Sequence, residues 1–478
     1  MIAPAPESIS QAPIERTLPP TPWSWRLGIG AGVALLVLAT YGLHGLFGDT
    51  VRPRFQAGMG IICFLGVAAC FSKSLQSVRL KTLLWGIGLQ FALAVAVIHS
   101  EWVRAGFEVI GTGIKYLIKA SDSGSEFVFG KLAQPAEMDK VFGKDQGFVF
   151  AFRALPPIIF VSAFFSVLYY LGILQFFVRI LARIMMYAMG TSGAETLSVA
   201  ANVFMGQTEA PLIVKPFIPK MTRSELLALM GSGMAHISGG MMAVYINYGA
   251  DPVSILCTCV MACPASLYLT KLILPEAGSP ATMGEAKIEV QSPYVNVIDA
   301  AAGGVKDGLW LALNVAAMLI AFLAFIALFN FILGGIKPGL IQAGIPAEQL
   351  GWWKDDLSLE KIFGTIFAPV AFLMGVETAD QENVGSLLGI KLAANEHVAF
   401  LKLKGWKAEG GYLSDRSQVL AVFALSGFAN FSSIGIQLGG IGALAPDRRA
   451  DLAKLGLKAL LVGFLATLIN AAIAGLLM

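Results

Sequence analysis

The chain has 478 residues, is 56% hydrophobic and 14% charged, and carries a formal net charge of +3. Soluble domains run near a quarter charged, so the composition excludes an ordinary soluble globular protein and points to an integral membrane protein. The small net charge gives no footing for nucleic acid binding.

Residues 1–22 are rich in proline (Pro4, Pro6, Pro13, Pro19, Pro20, Pro22) and read as a disordered tail. Apolar runs near the ~20 residues that cross a bilayer follow at 27–47, 55–72, 82–99, 149–177, 225–249, 252–275, 308–334, 417–443 and 454–478. The first is read as a simple anchor. Between 100 and 120, charges alternate with apolar residues at helical spacing, the pattern of a helix lying in the membrane interface. Residues 120–146 and 276–305 read as polar connections. Lys73, Arg79 and Lys81 assign their loop, and with it the N-terminus, to the cytoplasmic side. Cys257, Cys259 and Cys263 have no histidine or acid beside them in sequence, so they read as packing residues and not as metal ligands.

The stretch ANVFMGQTEAPLIVKPF (201–217) breaks the apolar pattern. Arg179 and Arg183 precede it, and Lys215, Lys220 and Arg223 close it, so both ends of segment 194–218 carry basic residues. A chain that enters and leaves on one basic face is a re-entrant hairpin, here with Gly206, Gln207, Thr208 and Glu209 at its tip. Non-helical backbone at that depth is tolerated only where it is buried in protein or lines a wet cavity. Lys215 and Arg223 read as topology-setting charges.

The second half echoes the first. VAANVFMG (199–206) matches LAANEHVA (392–399), and LALMGSGMAHISGG (227–240) matches LAVFALSGFANFSSIG (420–435), which sets His236 against Asn430 and Ser238 against Ser432. Each half offers a hairpin followed by a helix interrupted by small and polar residues. Paired segments of this kind mark secondary transporters, whose broken helices bind substrate and ion near the midplane. A carboxylate at the bilayer centre costs about 2.5–3.5 kcal/mol on insertion scales, which makes Glu209 and Glu396, one per half, functional candidates. Glu377 and Asp380 read as a solvated turn without a role.

The motifs GQTEAPLIVKPFIPKMTRSEL, ANEHVAF and GFANFSSIGIQLGGIG resemble the concentrative nucleoside transporters over about residues 56–478. The resemblance implies an all-α polytopic membrane protein with an inverted-repeat transport domain of two re-entrant hairpins and two broken helices. It also implies a homotrimer in the lipid bilayer of the cytoplasmic (inner) membrane. The implied activity is secondary active import of nucleosides, uridine and related compounds, by symport with Na⁺ or, in some members, H⁺, and no other cofactor. Carried over by motif, Gln207, Thr208 and Glu209 would contact the nucleobase. Glu396, Phe428, Asn430 and Ser433 would hold the ribose. Asn202, the carbonyls of Met205 and Ile237, and the side chain at position 236 would bind the ion. Two departures bear on the coupling ion: His236 stands where Ser or Thr is usual, and His397 where Phe is usual. The chain then divides into the tail (1–22), N-terminal scaffold helices with the interfacial helix (23–120), a connection and scaffold helix (121–192), the first transport repeat (193–275), a second connection and scaffold helix (276–358) and the second transport repeat (359–478).

Two other coupling classes stay open at this level: a proton-coupled symporter with His236 in the ion site, and a passive nucleoside channel of the same fold. Moving one charge through 100 mV supplies about 2.3 kcal/mol and a tenfold gradient about 1.4. Together they support roughly 500-fold accumulation, which a channel does not give. An enzyme is not expected, because the four histidines (His44, His99, His236, His397) form no nucleophile elbow or His-Glu-x-x-His pattern.

Overall fold

Backbone in hydrocarbon must satisfy its own polar groups, and helices do this within one segment. The regular structure of this chain is helical throughout its described residues. The computed structural model describes residues 13–143, 147, 149–284, 294–346, 357–408 and 413–478.

Helices α1 (Trp23–Leu43), α2 (Arg52–Cys70) and α3 (Leu80–His99) fill the first three apolar runs. α1 lies mostly exposed, and Tyr41 near its end stacks on Phe372 at 3.8 Å. The stretch read as an interfacial helix is helical, α4 (Glu101–Phe129), and it continues past the boundary expected at 120. Ser121 and Ser125 bond back to the carbonyls of Ile118 and Ser121, so the polar residues there stay inside the helix. After α5 (Pro135–Phe142), the run 149–177 divides into α6 (Phe150–Arg153), α7 (Leu155–Tyr170) and the start of α8 (Ile173–Met189). The divide is Gly172, whose φ of +81° suits glycine. Arg179 and Arg183 therefore ride on an amphipathic helix of their own.

The first hairpin comprises α9 (Gly193–Ala201), turns through 202–209, and α10 (Ala210–Ile213). The run 225–249 is broken into α11 (Arg223–Ala235) and α12 (Gly239–Asn247), and α13 (Pro252–Ile273) completes this half. α14 (Val297–Gln342) spans 46 residues, about 69 Å, far beyond the ~30 Å hydrocarbon core. It starts inside the segment expected to be a polar connection to 305. Then come α15 (Leu359–Leu373), the second hairpin α16 (Gln381–Ala393) and α17 (Glu396–Ala408), the broken pair α18 (Asp415–Leu425) and α19 (Phe431–Leu444), and α20 (Arg449–Leu477). The run 417–443 is thus two helices, each too short to span. Elements α7–α13 and α14–α20 follow one order: long helix, amphipathic helix, hairpin, broken helix, span. The molecule is an all-α polytopic membrane protein with an inverted-repeat core.

α14 packs directly on α7. A Cβ on Gly304 or Gly308 would stand 2.6 Å from the Cα of Ala163 and 2.7 Å from that of Ile159. This small-xxx-small pair lets the two backbones meet and fixes the rotation of α14.

Two segments make contacts that their composition did not announce. Residues 13–22, assigned to the tail, run extended and are tied down: Thr21 N–H donates to Lys73 O (3.0 Å), its hydroxyl to Ser72 O (3.0 Å), and Arg16 N–H to Ala277 O (2.9 Å). Residues 1–12 lie outside the described residues. Asp380 is buried and accepts from the backbone N–H (3.1 Å) and hydroxyl (3.0 Å) of Ser414, while Glu377 is exposed. Asp380 thereby ties the start of the second hairpin to that of α18.

The base of the first half is electrostatic. Ser192 and Glu195 form a capping box on α9, and Thr222 and Glu225 form one on α11. The Ser192 hydroxyl also donates to Glu225. Lys271 on α13 pairs with Glu195 at 2.7 Å, both buried, and with the half-buried Glu276 at 3.2 Å. Breaking a buried pair from one side leaves an uncompensated charge, at a cost of about 3–5 kcal/mol. Lys271→Ala is therefore expected to lower the thermal midpoint of the purified protein sharply. The double variant Lys271→Met/Glu195→Gln should recover more than half of the loss.

Candidate functional site

Both helix breaks fall where polar side chains cap the resumed helix. Ser238 caps α12 by accepting from Met241 N–H, at 3.4 Å. Asn430 caps α19 by accepting from Ser433 N–H, at 2.9 Å. The breaks also satisfy each other: Phe428 N–H donates to the His236 carbonyl at 3.1 Å, and Gly239 N–H to the Phe204 carbonyl of the first hairpin at 3.0 Å.

Beside this crossing lies a cavity of about 440 Å³. Gln207, Thr208, Glu209, Glu396, Phe428, Asn430 and Ser433 all line it, so the structure brings together from three segments the seven residues singled out for substrate. The Glu396 carboxylate opens α17 and accepts from Tyr245 OH (2.8 Å) and Asn430 Nδ2 (3.1 Å). Ser432 Oγ donates to Asn430 Oδ1 at 2.6 Å. Gln207 Nε2 donates to Ser433 Oγ (3.2 Å), and its Oε1 accepts from Gln437 Nε2 (3.1 Å), which also donates to Met230 O (2.9 Å). Glu209 accepts from Gly206 N–H at 3.0 Å. Thr208 packs on Gly440, where a Cβ would stand 2.6 Å from the threonine methyl. The cavity offers three carboxylates (Glu209, Asp307 and Glu396), amides and hydroxyls together with the Phe428 ring. These groups can receive a ligand that has vicinal hydroxyls and a flat heterocycle with donors and acceptors.

The four ion-site residues lie outside this cavity, around the end of α9 and the break between α11 and α12. Asn202 and Ile237 are buried, and Met205 and Ile237 stand in non-helical backbone. Asn202 Nδ2 donates to Ser198 O (3.1 Å) and Ser232 Oγ (3.0 Å), leaving its Oδ1 buried without a partner among the described residues. The imidazole of His236 is held by Ser232 O at Nδ1 (2.7 Å) and Cys263 Sγ at Nε2 (3.3 Å). A carbonyl can only accept, so Nδ1 carries the proton and Nε2 accepts from the thiol. His397 lines the cavity, meets Tyr248 OH at 3.1 Å and stands edge-on to Phe150.

Sequence reasoning missed Tyr245, Asp307, Trp310, Asn314, Asn395 and Gln437. All but Tyr245 and Gln437 line the cavity directly. Asp307 was detectable: it is an acid at the edge of a long apolar run, and the span was drawn from 308, one residue too late. Tyr245 and Gln437 gave no signal, since an aromatic or a lone amide in an oily helix is ordinary.

The fold and cavity are those of a membrane transporter built on hairpins and broken helices. Three family models match the chain: "Na+ dependent nucleoside transporter C-terminus" over residues 254–475, the corresponding N-terminus over 59–132, and "Nucleoside recognition" over 151–251. An uncharacterized transporter of Haemophilus influenzae is 40% identical, the match covering 87% of this chain and 96% of that one. Sodium/nucleoside cotransporter 1 of Rattus norvegicus is 38% identical over 94% of this chain and 67% of the relative. The solved structure of CNTnw in an inward-facing substrate-bound state superposes with a TM-score of 0.81 at 36% identity, covering 88% of this chain and 98% of that one. The chain belongs to the Na⁺-dependent (concentrative) nucleoside transporter family. It is a multi-pass protein of the cell membrane that transports nucleosides, and the family is a transporter class, not an enzyme class.

Tyr245 donates to a carboxylate in the cavity wall, and a hydrogen bond to a charged group is worth about 1.5–3 kcal/mol. Tyr245→Phe is expected to raise the half-saturating uridine concentration roughly tenfold or more, with unchanged membrane insertion. Uptake assayed across a uridine titration checks it.

Proposed function

We propose that the chain imports nucleosides by symport with Na⁺. The observation that carries the coupling ion is the buried, unpartnered Oδ1 of Asn202, an oxygen held facing away from its own committed amide nitrogen. A hard cation takes oxygen ligands, and the Asn202 oxygen with the carbonyls of Met205 and Ile237 supplies them. His236 is turned aside on Ser232 and Cys263, so a proton carried on its ring has less support than a sodium ion beside it. In this reading, Gln207, Thr208 and Glu209 read the base, and Glu396, Phe428, Asn430 and Ser433 hold the ribose. Residues 193–275 and 359–478 form the transport part, and the remaining helices the scaffold. A homotrimer embedded in lipid fits the exposed apolar surface of α14, which includes Leu313, Ile320, Leu323 and Phe331.

If Glu396 and Asn430 hold the ribose, Glu396→Gln and Asn430→Ala should each cut uptake of uridine, cytidine and adenosine alike by about ten- to 150-fold, while Thr208→Ala changes their ranking. Equal losses for all three nucleosides on changing Thr208 would refute base reading.

For the ion, uptake into proteoliposomes should require a Na⁺ gradient, and His236→Ser should lower the half-saturating Na⁺ concentration by about tenfold, equivalent to ~1.4 kcal/mol. Uptake that ignores Na⁺ in both chains, and follows an imposed pH gradient only when His236 is present, would make His236 the proton site. Uptake that never exceeds equilibration would indicate a channel.

A further inference from the structure

Lys391 is fully buried in the last turn of α16, and the cavity chemistry does not use it. Its Nζ donates to the Ala424 carbonyl at 2.6 Å and to Thr467 Oγ1 at 3.0 Å, and lies 5.6 Å from the centre of the Phe464 ring. Among the described residues no carboxylate lies within ion-pair distance. Glu396, five positions on, is engaged by Tyr245 and Asn430. An ammonium held by a carbonyl, a hydroxyl and a π-face is held by the ligands that suit a small alkali cation.

The internal repeat says what stands in the same place in the other half. Aligning 392–399 with 199–206 sets Asn395 against Asn202 and, immediately before the aligned segments, Lys391 against Ser198. Ser198 Oγ and Asn202 Oδ1 are both buried without a partner among the described residues. Helix α18, whose last turn carries Ala424, corresponds to α11. Each half therefore brings two helix C-termini to one buried point: α9 with α11, and α16 with α18. The partial negative charge of converging C-termini calls for a cation. α16 brings its own in Lys391, whereas neither α9 nor α11 has a basic residue in its last turn.

We propose that the Lys391 ammonium is a built-in cation at the second repeat's ion position, so that one mobile Na⁺, bound in the first repeat, accompanies each nucleoside. Shortening Lys391 to the serine found at the matching position of the first repeat opens that place to a second Na⁺. The proposal rests on the sodium reading above.

The test is the flux ratio of ²²Na⁺ to [³H]uridine in proteoliposomes, for the wild-type chain and for Lys391→Ser. The expected ratios are one and two, with Na⁺ activation changing from hyperbolic to sigmoidal. Should Lys391→Ser transport too slowly, Na⁺-dependent thermal stabilisation of the purified variant gives the same answer. Its dependence on the logarithm of Na⁺ concentration should be twice as steep as wild type at saturating Na⁺, while Lys391→Met, which fills the space without oxygen ligands, keeps the wild-type slope. A wild-type ratio of two overturns the proposal whatever the variants do. So does a folded Lys391→Ser with a wild-type slope and ratio. A wild-type ratio of zero with uptake intact overturns the sodium reading itself, and the proposal with it.

Discussion

Everything in the centre of this molecule follows from the cost of leaving main-chain N–H and C=O groups unpaired in hydrocarbon, several kcal/mol each. Two helices stop and restart in the interior, which exposes such groups at the ends of α11, α12, α18 and α19. The repair is mutual. His236 lends its carbonyl to Phe428, Phe204 lends its own to Gly239, and Ser238 and Asn430 cap the restarted helices. The groups left over are polar, fixed and surrounded by protein, and the cavity with Glu396 and Gln207 sits where they converge. The site is located by a backbone accounting problem before any side chain selects a ligand.

A second arrangement keeps the parts of the first half together. The helices opening the first hairpin and the first broken pair start in capping boxes joined by one cross-contact, Ser192 donating to Glu225, while Lys271 binds Glu195. Hairpin, broken helix and α13 therefore share one charged foundation, at the other end of α9 from the hairpin tip. In the second half Asp380 plays a comparable part by joining the start of α16 to that of α18 through Ser414.

Much of this was legible in the residues. Spans read from apolar length fell close to α1, α2, α3, α13 and α20, because twenty apolar residues in lipid have little choice but helix. The polar tip at 206–209 and the repeat pairing marked both hairpins and both breaks. The seven substrate candidates meet in one cavity. What escaped was decided by contacts, local or tertiary, that the residue pattern does not announce. The extension of α4 depends on serines bonding back to their own helix, and the length of α14 on its packing against α7 through Gly304 and Gly308. The burial of Asp380 depends on a serine 34 residues away. Whether the ring of His236 points to an ion or away from it was undecidable without Cys263, which arrives from another helix.

The cavity wall is unequal in origin. Gln207, Glu396 and Asn430 come from hairpins and broken helices, whereas Asp307, Trp310 and Asn314 come from α14, which the glycine contacts lock to α7. If the hairpins and broken helices travel while α14 stays, a bound solute keeps the first group of contacts and loses the second on the way. Its grip then differs between the two membrane faces by whatever α14 contributes. A carrier with that property takes cargo up from dilute solution on one side and gives it up readily on the other. That difference in grip comes from the architecture of the wall; by itself it only sets how readily each face loads and unloads, and net accumulation still needs a driving gradient.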